Sequence, residues 1–320
     1  MAGSRVVVAV DIGGTTVKGA LYAENGASLA FVTSPTFADR AECAGPEDRA
    51  LAAVTEVVDQ LVVRSARDGH VLAGIGVCSP GLVDSKAGIV VLAVNLGWAA
   101  LPIAEILRAR FGVPVALEHD ARAGARAEQA ARRAISRSAD DLVFIPIGTG
   151  ISATVVSGGS LIIGASGAAG EFGHVPVVPG GELCNCGQRG CIEVYASAGS
   201  VFRRYREAGG EHAADTRELV QRIGSDPIAS LVWHQAIAAL ATGLGMLTAV
   251  LDPGVIVIGG GMGEAGDRLL GPLRRAVAER LTWRAAPRIE QSVVGPAAGL
   301  AGAALLVGAA VQPRFEQEIQ

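Results

Sequence analysis

The sequence predicts an α/β fold with a largely parallel sheet, and two observations support this prediction. Short apolar segments rich in β-branched residues alternate with longer segments whose apolar residues recur every three or four positions. Such an alternation of strands and helices is typical of α/β proteins. In addition, 50% of the 320 residues are hydrophobic and the formal net charge is only −4, so a large core is possible and a disordered chain is excluded.

Apolar strands are predicted from near the start of the chain onward. The first is followed by a Gly/Thr turn and a second strand, and the same order of strand, turn and strand returns after residue 141. This repetition indicates two related halves. The predicted strands cover residues 6–10, 17–22, 72–77, 113–117, 142–147, 151–156 and 255–258.

Helices are predicted where the apolar spacing changes to three or four residues. Asp120 stands at an N-cap-like position of an alanine-rich helix. Asp226, followed by Pro, begins another helix, which we expect to be interrupted at Gly243 and Gly245. The predicted helices cover residues 47–67, 102–111, 120–133 and 226–251.

Composition and charge limit the partners of the protein. The negative net charge disfavours binding to polyanions such as nucleic acids. No basic segment followed by an apolar one opens the chain. The uncharged stretch at 293–311 is mostly Ala and Gly with one Pro, which favours a buried helix over a membrane span. We therefore expect a cytoplasmic protein with no membrane or nucleic-acid partner.

Glycine is in excess, with 43 residues, and three glycine-rich loops end apolar strands. The first, at 11–15, reads Asp-Ile-Gly-Gly-Thr, and backbone N–H groups of such a loop can bind an anion. An ordinary hairpin turn is the alternative, because the segment matches neither the Walker A nor the Gly-x-Gly-x-x-Gly motif. Gly-Thr-Gly at 148–150 and Gly-Gly-Gly at 259–261 repeat the pattern, and the three loops together favour a nucleotide site.

One histidine and three cysteines have the spacing of a metal site. They are His174, Cys184, Cys186 and Cys191. Such a set can form the closed tetrahedral shell of a structural Zn²⁺ ion, and buried free thiols with a core histidine are the alternative. Cys43 and Cys78 are expected to behave as small hydrophobic residues.

The segment Glu118-His119-Asp120 lies where a strand is expected to meet a helix. A carboxylate there can accept the proton of a substrate hydroxyl during phosphoryl transfer, and a plain N-cap is the alternative.

Polar residues around the cysteines are suited to binding a polyol. Glu171, His174 and Glu193 could hydrogen-bond adjacent hydroxyl groups, and Asn95 could supply both a donor and an acceptor. Solvated loop residues are the alternative.

Together these residues resemble the ROK family of bacterial sugar kinases, repressors and uncharacterised open reading frames. The resemblance spans nearly the whole chain and is most specific at 170–174 (Gly-Glu-Phe-Gly-His) and at 184–193 (Cys-Asn-Cys-Gly-Gln-Arg-Gly-Cys-Ile-Glu). It implies an actin-like (ribonuclease H-like) fold of two α/β lobes around a cleft where sugar and ATP meet. The smaller lobe is then expected to comprise residues 1–118 plus about 297–320, and the larger lobe residues 119–296.

The resemblance implies a role for each motif residue. Asp120 matches the general base. The ligands of a structural zinc ion are His174, Cys184, Cys186 and Cys191. The substrate-binding positions are Gly81, Asn95, His119, Asp120, Glu171, His174 and Glu193. The positions that bind the nucleotide are Asp11, Gly13, Gly14, Thr15, Thr16, Lys18, Thr149, Gly150, Gly260 and Gly261.

The expected activity is ATP- and Mg²⁺-dependent phosphorylation of a glucose-like hexose at its 6-hydroxyl group. His119 stands where the family usually has Asn, which leaves an N-acetylhexosamine, kanosamine or a cyclitol open as the substrate. Residues 150–154 read Gly-Ile-Ser-Ala-Thr where the family has Gly-Ile-Gly-Gly-Gly, a change that could alter phosphate affinity.

An alternative of another class is a sugar-sensing regulator without catalysis. Repressors of the family carry a helix-turn-helix ahead of the first loop, and only ten residues precede Asp11, so a kinase is expected. A homodimer or homotetramer is the expected assembly.

Overall fold

Two five-stranded sheets organise the computed structural model, which describes residues 4–37 and 45–310. The strands are β1 (Arg5–Ile12), β2 (Thr16–Ala23), β3 (Ser28–Pro35), β4 (Val71–Ser79), β5 (Leu82–Asp84), β6 (Ile89–Ala93), β7 (Trp98–Leu101), β8 (Val115–His119), β9 (Leu142–Pro146), β10 (Thr154–Ser157), β11 (Ser160–Leu161), β12 (Val255–Gly259) and β13 (Arg288–Gln291). The helices are α1 (Pro46–Arg67), α2 (Ile103–Phe111), α3 (Asp120–Ala134), α4 (Glu193–Ala196), α5 (Ala198–Glu207), α6 (Thr216–Gln221), α7 (Pro227–Leu251), α8 (Gly260–Gly263), α9 (Asp267–Arg280) and α10 (Ala298–Leu305). Cys43 lies outside the described residues.

Both five-stranded sheets have the same topology. Their strand orders are β3-β2-β1-β4-β8 and β11-β10-β9-β12-β13. In each, the first three strands form an antiparallel meander and the last three run parallel to one another. The α/β class and the repetition predicted from the sequence are therefore confirmed. The sheets are mixed rather than largely parallel, because each half opens with hairpins.

Contacts divide the chain into two compact units. The first comprises the described residues up to Arg137 and from Ala297 onward, and the second is Ser138–Pro296. The boundary expected after residue 118 therefore falls one helix too early, because α3 packs against α10 within the first unit. The two helices approach so closely that a Cβ on Gly302 would overlap the backbone carbonyl oxygen of Ala123. Residues 311–320 of the expected smaller lobe lie outside the described residues.

Residues 6–10 of strand β1 are all apolar because both faces of the strand are covered. Val8 and Val10 lie in the cluster that includes Leu61 of α1. Val7 and Ala9 lie in a second cluster, formed with α10. Burial on both faces explains why the strand lacks the alternation of polar and apolar residues seen in half-exposed strands.

Helix α7 is the main core helix of the second unit. Its length and apolar composition alone would suffice to cross a membrane. Trp233, Leu240 and Leu244 are buried in the unit's hydrophobic core, however, and this packing accounts for its composition. The expected interruption at Gly243 and Gly245 is wrong, since the helix is continuous; a Cβ on Gly243 would overlap the side chain of Ile192.

Candidate functional site

Three parallel strands of the first unit, β1, β4 and β8, carry predicted site residues at or just after their carboxyl ends. Asp11 on β1 pairs in register with Cys78 on β4, and Ser79 pairs with His119 on β8. Strand β8 leads directly into α3, so Asp120 follows at the first residue of that helix. Crevices at the carboxyl ends of parallel strands are the usual ligand sites of α/β proteins.

Asp11 is a half-buried carboxylate with a perturbed pKa. The pKa of Asp11 is raised from 3.8 to about 6. Burial is the largest cause and the negative charge of Asp120 the second, whereas the positive charge of Lys18 lowers the pKa. The Sγ atom of Cys78 donates to Oδ1 of Asp11 at 3.4 Å. Burial also raises the pKa of this thiol well above its usual value, so it stays protonated as a donor. Two neighbouring carboxylates in this setting favour a bound cation.

The Asp120 carboxylate is fixed at one oxygen and open at the other. Oδ1 accepts a hydrogen bond from the Ala121 N–H at 2.6 Å and lies 3.2 Å from Nδ1 of His119. Oδ2 has no hydrogen-bond partner among the described residues, and 40% of the side chain is exposed. The N-cap of α3 is His119, so the N-cap alternative for Asp120 is wrong. An exposed, unpaired carboxylate oxygen can take the proton of a bound hydroxyl group.

Glu118, which is not among the predicted site residues, anchors this junction. It is buried, and its Oε1 accepts hydrogen bonds from Nε of Arg122 at 2.8 Å, from Oγ of Ser85 at 2.8 Å and from the His119 N–H at 2.9 Å. Burial opposes its ionisation, but these hydrogen bonds, with that of Arg122 the strongest, lower the pKa of Glu118 below its usual 4.5. Glu118 lies on β8 and Arg122 on α3, so the i,i+4 rule for residues of one helix does not reveal this pair from the sequence.

The first glycine-rich loop is a tight turn between β1 and β2. The Gly13 N–H donates to the Thr16 carbonyl at 3.0 Å. Thr36, which belongs to none of the sequence motifs, is buried and donates its hydroxyl hydrogen to the Gly13 carbonyl at 2.8 Å. A Cβ on Gly14 would lie 3.3 Å from Nδ2 of Asn95, so the structure brings a predicted sugar-binding residue next to this loop.

Of three further predicted site residues in the first unit, two are exposed and one is a glycine in a tightly packed turn. Thr15 is exposed in the loop, and Lys18 is exposed on β2, opposite Asp11 in the register. Gly81 follows β4 with φ +89, and a Cβ there would overlap the Leu92 carbonyl. Glycine is therefore required at this turn by backbone packing alone.

The four predicted metal ligands converge in the second unit. Their ligand atoms all lie within 4.8 Å of one another. Nδ1 of His174 is 3.7 Å from Sγ of Cys184, and Sγ of Cys186 is 3.7 Å from Sγ of Cys191. Tetrahedral Zn²⁺ with Zn–S bonds of ~2.3 Å places neighbouring sulfur atoms about 3.8 Å apart, so the donor set fits this ion in type, number and spacing.

His174 presents its two ring nitrogens to different neighbours. Nδ1 faces the thiol cluster, whereas Nε2 lies 3.9 Å from Oε2 of Glu171. One imidazole can therefore be a metal ligand through Nδ1 and a substrate contact through Nε2. The side chain of Glu171 is 56% exposed and accessible to a ligand.

The second and third glycine loops lie at the ends of β9 and β12. Thr149 and Gly150 are exposed in the turn that follows β9. Gly260 has φ +72, and a Cβ there would overlap the carbonyl of Ile147, which lies between β9 and the second loop, so the third loop packs directly beside the second. The second and third glycine loops therefore lie next to each other in the second unit.

A pocket of about 580 Å³ opens beside the third loop. The sequence does not predict it, because its walls come from α6 and from the segment around α8 and α9. Its lining includes Thr216, Val220, Gly261, Met262 and Arg268. This mixture of apolar residues with polar and charged ones, such as Asp215 and Arg217, suits a flat heterocycle that carries hydrogen-bonding groups.

The topology and the motifs define a class of protein, an actin-like α/β kinase that acts on carbohydrates with ATP. The chain belongs to the ROK family, whose sequence model matches residues 7–310. It is 32% identical to a glucokinase of Thermotoga maritima over 94% of this chain and 96% of the relative. It is 31% identical to an N-acetylmannosamine kinase of Shigella flexneri over 81% of this chain and 84% of the relative.

A solved structure has the same fold. It is a ROK family glucokinase from Streptomyces griseus in complex with glucose and AMPPNP, with a TM-score of 0.79 and 30% sequence identity. The match covers 94% of this chain and 98% of that protein. The resemblance to the ROK family stated from the sequence is confirmed.

Proposed function

We propose that this protein is an ATP-dependent hexose kinase that phosphorylates glucose, or a close analogue, at the 6-hydroxyl group. The observation that carries the proposal is the Asp120 carboxylate, whose Oδ1 is fixed by Ala121 and His119 while Oδ2 is open to a ligand. Near-full-length similarity to glucokinases supports the choice of substrate.

In the proposed reaction, Asp120 acts as the general base. Its Oδ2 accepts the proton of the sugar hydroxyl while the hydroxyl oxygen attacks the γ-phosphorus atom, and ADP leaves with the electron pair of the broken bond. Asn95, Glu171, His174 and Glu193 hydrogen-bond the other hydroxyl groups of the ring, which orients the reacting hydroxyl.

The glycine loops at 11–15, 148–150 and 259–261 bind the nucleotide through backbone N–H groups. The pocket beside Gly261 takes the adenine base. Mg²⁺, when bound, neutralises charge on the phosphates. Asp11 would hold this ion, through water because Mg²⁺ keeps most of its water ligands, and the raised pKa of Asp11 fits a carboxylate that needs a cation nearby.

The proposed zinc ion has a structural role. His174, Cys184, Cys186 and Cys191 would hold it, and four protein ligands leave no open position for water. The ion would stabilise the loop that carries Glu171 and leads into Glu193, which preorganises the sugar-binding residues.

A second candidate is a kinase of an amino sugar or a cyclitol. Two observations favour it: the similarity to an N-acetylmannosamine kinase, and the imidazole of His119 beside the proposed base. An imidazole offers a different pattern of donors and acceptors from an amide, so it can select a different ring substituent.

We also propose that the protein is a cytoplasmic homo-oligomer, a dimer or a tetramer, that binds neither nucleic acid nor membranes. The net charge of −4 supports the absence of polyanion binding. Light scattering coupled to gel filtration gives the oligomeric state, and a monomer at micromolar concentration would contradict the proposal.

An ADP-release assay with ATP across glucose, mannose, N-acetylmannosamine, N-acetylglucosamine, kanosamine and cyclitols tests the proposed function. The proposal predicts the highest kcat/KM with glucose or mannose. A preference for an acetylated sugar, kanosamine or a cyclitol would favour the second candidate. Sugar binding with no turnover of any compound would instead identify a non-catalytic sugar sensor.

A further inference from the structure

We propose that Glu193 is a positioning residue for the second glycine loop, and that nucleotide affinity therefore depends on it even when no sugar is bound. The inference rests on the proposed function in taking residues 148–150 as a phosphate-binding loop. It assigns to Glu193 a role that is separate from sugar binding.

The carboxylate of Glu193 contacts the loop directly. Its Oε2 accepts a hydrogen bond from the Ile151 N–H at 2.9 Å. A Cβ on Gly150 would lie 2.7 Å from this oxygen, and one on Gly173 would lie 3.2 Å from it. Two glycines thus make room for one carboxylate oxygen beside the loop.

Residues 148–153, which form the second glycine loop and the segment after it, lie outside the regular β9–β10 pairing. The β9–β10 ladder ends at the pair Phe144 and Thr154, and beyond it the two arms share only an isolated bridge between Ile147 and Ile151. Contacts with other segments must therefore hold residues 148–153 in place.

Three hydrogen bonds from the neighbouring segments supply these contacts. Besides the bond to Glu193, the Ala153 N–H donates to the Gly170 carbonyl at 2.8 Å, and the Ala198 N–H donates to the Gly148 carbonyl at 2.9 Å. The segment from Gly170 to Ala198 contains the Cys₃His cluster. Glu193 provides the side-chain link, and it follows the cluster residue Cys191 by two positions.

The bond to Glu193 also determines which backbone donors face a ligand. The Ile151 N–H is used by the carboxylate, and the Gly148 N–H by the Gly150 carbonyl. In the described part of the chain, the N–H groups of Thr149 and Gly150 donate to no partner. These two donors are available to a phosphate oxygen, and the bond at Ile151 fixes the peptide next to them.

The test compares three full-length variants with the wild type. Glu193→Ala removes the acceptor, whereas Glu193→Gln keeps a carbonyl oxygen that can accept from Ile151. Glu171→Ala is the matched control, because it removes a carboxylate of the same loop that, in the described part of the chain, makes no hydrogen bond to residues 148–153. Calorimetry without sugar measures the Kd of AMPPNP with Mg²⁺, and metal analysis confirms that the variants retain the same metal content.

We expect Glu193→Ala to raise this Kd about tenfold, from the loss of a hydrogen bond to a charged group. Glu193→Gln should restore the Kd to within about twofold of the wild type, and Glu171→Ala should leave it unchanged. An unchanged Kd in Glu193→Ala would overturn the inference, since a residue that only binds sugar affects only sugar affinity. Equal losses in Glu193→Ala and Glu193→Gln would overturn it as well.

Amide hydrogen exchange of the peptide spanning 147–154 separates this inference from the proposed function. Faster exchange in Glu193→Ala than in Glu171→Ala supports the positioning role, and equal exchange contradicts it. A wild-type protein that does not bind AMPPNP would refute the nucleotide part of the proposed function, and the exchange measurement would still decide whether Glu193 holds the loop.

Discussion

Replacing Asp11 by Asn is expected to stabilise the fold while abolishing phosphoryl transfer. Asp11 is half-buried, and its pKa of about 6 means that the folded protein disfavours the carboxylate relative to the unfolded chain. Asparagine has a similar shape, carries no charge, and keeps an oxygen that can accept from Cys78. The variant therefore loses the electrostatic cost and, with it, the group proposed to hold Mg²⁺.

The magnitude follows from the pKa. The difference between 3.8 and about 6 corresponds to roughly 3 kcal/mol of unfolding free energy at a pH where Asp11 is ionised. Because solvent reaches part of the side chain, about 1–3 kcal/mol is the expected gain. The native state holds this proton to higher pH than the unfolded state, so the stabilising contribution of protonated Asp11 is complete below about pH 4 and is lost as the pH rises through about 6.

Urea unfolding of the wild type and of Asp11→Asn at pH 8 and at pH 5 measures this effect. The variant should be more stable at pH 8, and the difference should shrink at pH 5. In an Asp120→Asn background the gain should be smaller, because the charge of Asp120 is the second cause of the raised pKa. A variant no more stable than the wild type at pH 8, or a gain independent of pH, would refute this reasoning.

Four other substitutions test separate parts of the structure. Cys186→Ser should remove zinc, as measured by metal analysis, and weaken sugar binding; full zinc occupancy in the variant would contradict the proposed metal site. Glu118→Gln should lower the unfolding free energy by about 3 kcal/mol, because it leaves the charge of Arg122 buried without its carboxylate, and a loss too small to resolve in urea unfolding would count against this role. Gly302→Ala should destabilise by about 2 kcal/mol or more through overlap of α10 with α3, whereas Gly245→Ala, which has open space around it, should be neutral or stabilising by ~0.5–1 kcal/mol.

The secondary structure could be predicted where a continuous run of apolar residues forms a buried strand. Strands β1, β4, β9 and β12 are buried apolar segments, and their predicted positions are close to those observed. Strand β3 was not predicted, because it is an edge strand held by pairing with β2, and much of its surface is exposed. Helix α9 was not predicted either; it contains Pro272, a residue that usually marks the end of a helix.

The candidate site was predictable where its residues are close in sequence. The four metal ligands lie within one loop, and their spacing indicates the chemistry. The hydrogen bonds of Thr36 to Gly13 and of Glu193 to Ile151 join segments far apart in sequence, so no local pattern reveals them. The pocket beside Gly261 was missed for the same reason, since its walls come from separate helices.

The kinetics of Asp120→Asn with glucose and ATP test the central claim most directly. The substitution preserves the size of the side chain and an acceptor for the Ala121 N–H, but removes the basic oxygen. We predict a loss in kcat of about 10²–10⁴-fold, with glucose affinity measured by calorimetry within a few-fold of the wild type. A kcat near the wild-type value would contradict the assignment of Asp120 as the general base.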